Sequence, residues 1–284
     1  MRILVLGANG MLGHSVFRLL SNDPALEVIG TVRGERPSQR IAELPGKRVL
    51  TGVDVEQSDP LIRVFATVRP QAVINCVGLV KQLDGAKDPL RAMPINALLP
   101  HRLAGLCQTT DARLIHISTD CVFSGKKGHY VETDLPDADD LYGRSKLLGE
   151  VDYPHAITLR TSIVGPEIAG NHGLLAWFLS QIGPVKGFRR ALFSGLSTVE
   201  LATVIRDRVL PRADLRGLYH VASSPINKFE LLRLFAAVYE RRNEISPDDQ
   251  LVIDRSLNGK RFEDATGYTA PPWPELVRRM HEFG

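Results

Sequence analysis

A tyrosine and a lysine stand four residues apart near the middle of the chain, Tyr142 and Lys146. On a helix this spacing places both side chains on one face, one turn apart. In ketone reduction a nicotinamide hydride attacks the carbonyl carbon, and a tyrosine of lowered pKa can protonate the oxygen. The positive charge of Lys146 favours the phenolate, and the same ammonium can bind the nicotinamide ribose. Thr119, at the end of a predicted strand, would hydrogen-bond the substrate oxygen, so these three residues are the candidate catalytic group.

A glycine-rich turn near the start of the chain supports this chemistry. Gly7, Gly10 and Gly13 follow a predicted strand and open a predicted helix, which is the context that a phosphate-binding turn requires. The helix N-terminus adds partial positive charge for a pyrophosphate. The spacing differs from the commoner G-x-G-x-x-G, and a turn without a ligand is the alternative. The predicted cofactor-binding residues of this turn are Gly7, Asn9, Gly10, Met11, Leu12 and Gly13.

The end of the second predicted strand indicates which nicotinamide cofactor binds. No Asp or Glu stands there to accept hydrogen bonds from an adenosine 2'-hydroxyl, and Arg33 is followed by Arg36 and Arg40. Arginines can bind a 2'-phosphate, so NADP(H) is favoured over NAD, with a solvated basic loop as the alternative. Further cofactor contacts are predicted where the third and fourth strands end, at Asp54, Val55, Cys76, Val77 and Gly78.

The elements that must position these residues follow from the hydrophobic pattern. Short β-branched runs alternate with helix-period segments through the first half of the chain. The predicted strands are 3–6, 28–32, 48–53, 72–77, 114–118 and 157–161, and the predicted helices between them are 11–20, 59–68 and 94–108. Alternating strands and helices of this length imply right-handed crossovers. We therefore expect an α/β fold, a Rossmann-type doubly wound parallel sheet.

The strict alternation is lost after about residue 165, which suggests a second unit. Residues 1–165 are predicted to form the NAD(P)-binding Rossmann domain and residues 166–284 a smaller C-terminal substrate-binding lobe. Within the lobe, helices are predicted at 174–182, 199–210 and 229–239, with a strand at 217–221 and a basic loop at 186–190. Residues 199–221 are expected to pack back onto the Rossmann domain.

Composition limits the classes of partner. The 284 residues are 44% hydrophobic and 24% charged, and a net charge of +3 is too small to argue for nucleic acid or an anionic membrane. Three cysteines without a C-x-x-C spacing make a disulfide framework or a structural metal site unexpected. We find no charged leader and no apolar run of the roughly 18 residues that a membrane span needs. A soluble cytoplasmic protein acting on a small molecule is expected, with no metal.

Several motifs together resemble a known family, the extended short-chain dehydrogenase/reductases, and within it the dTDP-4-dehydrorhamnose reductase-like branch. The resemblance spans nearly the whole chain, and its motifs are residues 7–13, 95–97, 117–125, 130–132, 142–150, 217–220 and 255–258. It implies that Thr119, Tyr142 and Lys146 are catalytic. It also implies NADPH-dependent reduction of the 4-keto group of a 6-deoxyhexose linked to dTDP or UDP, in surface polysaccharide synthesis.

One position departs from that branch, because Cys121 stands where the rhamnose-forming reductases usually carry tyrosine. Dehydration is disfavoured, since the glutamate that follows the Thr-Asp pair in sugar-nucleotide dehydratases is missing here. GDP-fucose synthases resemble this chain in having a cysteine at this place and a histidine where His172 stands. An epimerase-reductase using Cys121 and His172 is therefore one alternative, and small packing and loop residues are the plainer interpretation.

The remaining expectations concern substrate and partners. Cys121, His172, Lys186 and Arg255 are the candidate substrate-binding residues; Lys186 would neutralise a substrate diphosphate unless it lies in a solvated loop. Arg255 lies in one of the motifs that resemble the family. A further alternative is a non-catalytic NADP-binding regulator, because the branch also resembles the regulatory subunit of methionine adenosyltransferase. A homodimer is the candidate assembly.

Overall fold

A seven-stranded parallel sheet forms the centre of the structure, a computed structural model that describes residues 1–44, 46–81, 84–168 and 170–284. In chain order the strands are β1 (Arg2–Leu6), β2 (Glu27–Thr31), β3 (Arg48–Leu50), β4 (Ala72–Asn75), β5 (Arg113–Thr119), β6 (Ala156–Thr161), β7 (Ile163–Val164), β8 (Val185–Phe188), β9 (Ala191–Phe193), β10 (Leu196–Ser197), β11 (Gly217–His220), β12 (Ile226–Asn227), β13 (Ile245–Asp248) and β14 (Ile253–Asp254). The large sheet has the order β3-β2-β1-β4-β5-β6-β11. The predicted Rossmann-type doubly wound sheet is confirmed.

Helices cover both faces of this sheet. They are α1 (Met11–Leu20), α2 (Gln39–Ala42), α3 (Ser58–Val68), α4 (Pro89–Ala92), α5 (Leu99–Thr109), α6 (Leu141–Leu148), α7 (Leu174–Ser180), α8 (Thr198–Val204), α9 (Lys228–Val238), α10 (Lys260–Thr266) and α11 (Trp273–Phe283). Two π-helical segments, Met93–Leu98 and Ile205–Val209, continue α4 and α8, and 3-10 turns occupy Asp84–Lys87 and Asp120–Val122. In the part of the chain that the structure describes, no helix combines the length and the hydropathy needed to cross a bilayer.

The alternation of side chains along β1 shows why two layers of helices are needed. Ile3 and Val5 point into one hydrophobic core, whereas Leu4 and Leu6 point into the other. All four side chains are fully buried. Successive residues of a strand face opposite sides of a sheet, so a continuous apolar run requires cover on both sides.

Residues 198–220 contact the large sheet and its first helix. Strand β11 pairs in parallel with β6, and the hydroxyl of Ser15 on α1 donates to the hydroxyl of Thr198 at the start of α8 across 2.8 Å. The short strands β8, β9, β12, β13 and β14 lie in two separate small sheets. The division of the chain at residue 165 into a cofactor domain and a substrate lobe stays a prediction.

The structure corrects three local expectations. Strand β3 ends at Leu50 rather than at residue 53, so Asp54 and Val55 lie beyond its end. The helix predicted from residue 94 begins earlier, at Pro89, where the Asp88 side chain accepts a hydrogen bond from the amide of Leu90 across 2.9 Å. The predicted basic loop 186–190 is partly a strand, because Val185–Phe188 pairs in parallel with β13.

Candidate active site

A cavity of about 810 Å³ opens at the carboxyl ends of β1, β4, β5 and β6. The strand order reverses between β1 and β4, and ligands of doubly wound sheets bind at this switch point. The sequence-predicted residues that line the cavity are Asn9, Gly10, Met11, Leu12, Cys76, Val77, Gly78, Thr119, Cys121, Tyr142, Lys146, His172 and Arg255. Six others do not line it, namely Gly7, Gly13, Arg33, Asp54, Val55 and Lys186.

The glycine turn lies behind the wall of the cavity and shapes it. Gly7 has a positive φ of 82°, and a Cβ there would meet the side chain of Val77 at 2.9 Å. A Cβ on Gly13 would overlap the carbonyl oxygen of Gly7, so α1 can pack this closely on the turn only with glycine. Gly7 and Gly13 therefore act on the site through the backbone.

The N-terminus of α1 faces the cavity with its first amides uncapped. Gly10 is the N-cap, no side chain in the described residues caps it, and the first turn carries no acidic residue. Met11 and Leu12, the first two helical residues, line the cavity. Uncapped amides and the helix dipole attract anions, so this end of the cavity fits the pyrophosphate of a dinucleotide.

The arginine-containing segment lies next to the glycine turn. The amide of Ser38 donates to the side-chain oxygen of Asn9 across 3.1 Å, which brings residues 33–40 beside the turn. Arg33 and Arg36 are exposed. Burial lowers the pKa of His14 on α1 to about 4, and the positive charges of Arg18 and then Arg40 add to this shift. The arginines are thus close to the turn without lining the cavity itself.

Helix α6 is held firmly at its start, where Tyr142 stands. Asp140 caps the helix by accepting a hydrogen bond from the amide of Gly143 across 2.8 Å, and its other oxygen pairs with Lys81 at 2.6 Å. A Cβ on Gly143 would overlap the carbonyl oxygen of Cys121. The glycine after Tyr142 therefore lets α6 press against the segment that follows β5.

Burial, rather than the neighbouring lysine, controls the pKa of Tyr142. Loss of water raises the pKa of its phenol above the ordinary value, the Cys121 thiol adds to the rise, and a hydrogen bond with the Thr119 side chain lowers it by less. The expectation of a lowered pKa is therefore wrong for this structure. At neutral pH Tyr142 is a phenol with a proton to give, which is the form that reduction of a ketone needs.

Lys146 is buried, with 5% of its surface exposed, and its ammonium donates to the carbonyl oxygen of Ile117 on β5 across 2.8 Å. Burial lowers its pKa to about 8, and the negative charge of Glu150 opposes this shift. The lysine is therefore close to half charged near pH 8, in a wall of the cavity that it shares with Tyr142.

Asp120 is a residue of this site that sequence reasoning did not select. It is 5% exposed, lines the cavity, and accepts a hydrogen bond from the Thr119 hydroxyl across 3.1 Å. Burial raises the pKa of its carboxyl, and Arg255 opposes that rise. Its position directly after Thr119, the last residue of β5, was the available signal.

Cys121 and His172 line the same cavity, as an epimerase-type pair would have to. Burial raises the pKa of the Cys121 thiol to about 12, and the carboxyl of Asp120 adds to the rise. A thiol in this state carries a proton at neutral pH and is a poor general base. His172 is exposed on the loop before α7.

A different lysine occupies the place that the sequence suggested for Lys186. Lys186 lies on β8, its side chain is 70% exposed, and it pairs with Asp248 at 3.5 Å. Lys228, the first residue of α9, lines the cavity with Arg255 instead. Burial lowers the pKa of Lys228 while Asp120 opposes that shift, so its amine is withdrawn from water beside the reactive end of the site. No sequence motif marked Lys228, because only the tertiary fold brings the start of α9 to the cavity.

This combination of a doubly wound sheet and a Thr, Tyr and Lys cavity is that of the extended short-chain dehydrogenase/reductases. A family model described as RmlD substrate binding domain matches residues 1–280. The chain therefore belongs to that family, the dTDP-4-dehydrorhamnose reductase-like branch of these oxidoreductases, and the predicted resemblance is confirmed.

Individual relatives agree with this assignment. The chain is 35% identical over 235 residues to a Haloferax volcanii protein named probable low-salt glycan biosynthesis reductase, which covers 78% of the chain and 75% of the relative. A hypothetical dTDP-4-dehydrorhamnose reductase from Sulfolobus tokodaii superposes with a TM-score of 0.76 at 27% identity, covering 96% and 98% of the two chains. A Bacillus anthracis dTDP-4-dehydrorhamnose reductase solved with NADP shares the fold at 22% identity, with a TM-score of 0.77 and 98% of each chain covered.

One further similar protein carries a name of another kind. Methionine adenosyltransferase 2 subunit beta of Danio rerio is 29% identical over 172 residues, which are 59% of this chain and 49% of that protein. The other relatives and structures named above are reductases, and the chain is an oxidoreductase of this family.

Proposed function

We propose that this protein uses NADPH to reduce the 4-keto group of a 6-deoxyhexose linked to dTDP or UDP. The observation that carries the proposal is that Thr119, Tyr142 and Lys146 line one cavity together with the uncapped start of α1. A phosphate-binding helix end and a proton donor in one cavity are what a nicotinamide-dependent ketone reduction requires.

Each catalytic side chain has a separate task in this proposal. Residues 9–12 and 76–78, which line the cavity, would hold NADPH, and the bound cofactor would supply the hydride. Tyr142 gives its phenolic proton to the ketone oxygen, because burial keeps that proton in place at neutral pH. The hydroxyl of Thr119 donates to the same oxygen once it turns from Asp120, and the Lys146 ammonium stabilises the phenolate left on Tyr142.

The charges at the other side of the cavity support an anionic substrate. Lys228 and Arg255 line it there, and the Arg255 Nε donates to the carbonyl oxygen of Phe123 across 2.9 Å, so its other nitrogens can serve a ligand. Within the described residues, Lys228 has no carboxylate partner of the kind that Lys81 and Lys186 have. We assign the substrate diphosphate to Lys228 and Arg255, and surface polysaccharide synthesis is the pathway we propose for the product.

The preference for NADPH over NADH is part of the proposal. Arg33 and Arg36 follow β2, next to the glycine turn, and no carboxylate stands at the end of that strand to repel a 2'-phosphate. Asp54 and Val55 would border the adenine, since the amide of Val53 is bonded to the carbonyl oxygen of Val32 across 3.0 Å beside the end of β2.

We also propose that the enzyme works in the cytoplasm as a homodimer. Its three cysteines are all free thiols, as a reducing compartment favours. Fractionation of the source cells and the mass of the purified protein in solution test these two points.

The test is to incubate the purified protein with NADPH and, in parallel, with dTDP- and UDP-linked 4-keto-6-deoxy sugars, following the loss of NADPH absorbance. Oxidation with one nucleotide that is lost in Tyr142→Phe supports the reductase. Tyr153→Phe is the matched control, since Tyr153 is 40% exposed and does not line the cavity. Tight NADPH binding without turnover of any sugar, together with co-purification of another enzyme, would favour the regulator.

The epimerase-reductase alternative has its own readout in the same reactions. Epimerisation beside the keto group exchanges a ring hydrogen with solvent, so deuterium appears in the sugar when the reaction runs in deuterated water. Deuterium incorporation that disappears in Cys121→Ser would favour this alternative over simple reduction.

A further inference from the structure

A buried ion pair lies behind the catalytic lysine. Glu150, two residues after the end of α6, accepts two hydrogen bonds from Arg160 on β6: Nε to Oε1 at 2.7 Å and Nη2 to Oε2 at 2.6 Å. The two side chains are 11% and 4% exposed. A two-pronged pair with this little exposure has its charges screened mainly by each other.

The same carboxylate is bonded to the strand end that carries the catalytic residues. The Ser118 hydroxyl donates to Glu150 Oε1 across 2.6 Å. Ser118 stands between Ile117, whose carbonyl oxygen accepts the Lys146 ammonium at 2.8 Å, and Thr119. Glu150 therefore binds Ser118. This residue lies between Ile117, which accepts the hydrogen bond from Lys146, and Thr119, the predicted hydroxyl donor.

Arg160 is fixed on its far side as well. Its Nη1 lies 3.3 Å from His220 Nε2, and His220 Nδ1 lies 3.0 Å from the carbonyl oxygen of Tyr130. The carbonyl can only accept, so Nδ1 carries the imidazole proton and Nε2 accepts from the guanidinium. Burial and the charge of Arg160 lower the pKa of His220 to about 4, so this histidine adds no charge at neutral pH.

We propose that Glu150 and Arg160 are positioning residues that hold the end of β5 against Lys146 and set, by their opposite charges, how strongly Lys146 keeps its proton. The proposal rests on the proposed function, in which the Lys146 ammonium takes part in the reduction. The negative charge of Glu150 favours the charged lysine. Because the Arg160 guanidinium binds both oxygens of that carboxylate, it should limit how much of the negative charge Lys146 senses.

The other titratable groups around Lys146 are either buried with shifted pKa values or exposed to water. Burial keeps Tyr142 and Cys121 protonated and keeps His116 on β5 uncharged, and it raises the pKa of Asp120. The segments before α5 that pack on α6 carry charged residues whose described side chains are exposed: Lys87, Asp88 and Arg91. Glu150, with Arg160 bound to it, is thus the charged side chain that shifts the pKa of Lys146.

Removal of the Glu150 charge and removal of the Arg160 charge should shift the pKa of Lys146 in opposite directions. A pair with a purely structural role would not have this effect. The pKa of Lys146 is measured by NMR titration of protein labelled with ¹³C at the lysine ε-carbon, with Lys146→Met identifying the signal. We expect Glu150→Gln to lower this pKa by roughly one unit and Arg160→Met to raise it by a similar amount. The double variant, in which neither charge is left unpaired, should lie between Glu150→Gln and the parent protein.

A matched control is the buried Glu200, which pairs with Arg279 at 3.1 Å and does not line the cavity. Glu200→Gln should lower the stability of the protein and leave the pKa of Lys146 unchanged. If Glu150→Gln does not fold, Arg160→Met and the double variant still decide the matter. Shifts of one sign in both single variants, or none in either, would overturn the proposal. The titration needs no substrate, so it tests this proposal even if the protein reduces no keto sugar. If a keto sugar is reduced, the alkaline limb of the pH–rate profile should shift among the variants in the same order as the pKa of Lys146.

Discussion

The ammonium of Lys146 donates to the carbonyl oxygen of Ile117 across 2.8 Å, so a side chain of α6 is tied to the backbone of β5. This bond holds the lysine in a buried wall where its pKa falls to about 8 from the usual 10.5. Burial of Lys146 with a lowered pKa reduces the free energy of unfolding, and this reduction can be measured.

Lys146→Met should make the protein more stable at neutral pH while removing reductase activity. Between pH 8 and 10.5 the unfolded chain holds a proton that the folded chain has released, so stability rises with pH in that window and is lowest below it. After the contribution of the lost hydrogen bond is subtracted, the free energy of unfolding should rise by about 2 kcal/mol. Urea unfolding should show the difference shrinking as pH approaches 10.5, and exposed Lys87→Met should show none. A variant that is less stable than the parent at neutral pH would contradict this.

Gly13→Ala should destroy the cofactor end of the cavity. The new methyl overlaps the carbonyl oxygen of Gly7, so α1 must move off the turn, at a cost of more than about 2 kcal/mol. Gly105→Ala on α5 is the matched control, because its Cβ meets nothing within 4 Å and should stabilise the helix by about 0.5 to 1 kcal/mol. Thermal unfolding and NADPH titration check both variants. Equal stability and affinity in the two would refute the packing argument.

Arg33→Asp should shift the cofactor preference toward NADH. A carboxylate at the end of β2 repels a 2'-phosphate and can accept from a 2'-hydroxyl, so NADPH affinity should fall at least tenfold, about 1.4 kcal/mol, relative to NADH. Arg63→Asp on α3, also exposed, should leave the ratio unchanged. Dissociation constants of both cofactors provide the measurement. An unchanged ratio in Arg33→Asp would assign the 2'-phosphate contact elsewhere.

Lys228→Met should weaken binding of the sugar nucleotide and Lys186→Met should not. A charge-assisted hydrogen bond to a phosphate contributes about 1.5 to 3 kcal/mol, so KM should rise roughly 10- to 100-fold when Lys228 is lost. Lys186 is 70% exposed and paired with Asp248, outside the cavity. Steady-state kinetics of the two variants compare them directly; a larger KM effect from Lys186→Met would restore the sequence-based assignment.

Cys121→Ser should reduce the keto sugar nearly as fast as the parent protein. With a pKa of about 12 the thiol is protonated and cannot act as a base, so the rate should fall less than about tenfold, against roughly 100- to 10,000-fold for loss of a general base. Initial rates of NADPH oxidation measure this. A rate decrease in the larger range would support the epimerase-reductase alternative.

Much of the fold and part of the site could be predicted from the sequence because the signals are local. Apolar runs such as Ile3 to Leu6 specify strands buried on both faces, and the strand-turn-helix order of Gly7, Gly10 and Gly13 specifies the turn. Tyr142 and Lys146 share a helix face through their spacing alone. The ends of the elements were less certain, as β3 shows, since a strand stops where its neighbour stops pairing.

The sequence by itself determined the order of elements, the parallel sheet and the residue types available for catalysis, because these depend on neighbours a few positions apart. Only the tertiary structure decided which distant charges meet. Lys228 at the start of α9 lines the cavity, whereas Lys186 on β8 is exposed and pairs with Asp248 outside it. The fold also decided that Tyr142 keeps its proton and Lys146 tends to lose its own, since loss of water on burial outweighs the effect of nearby charges.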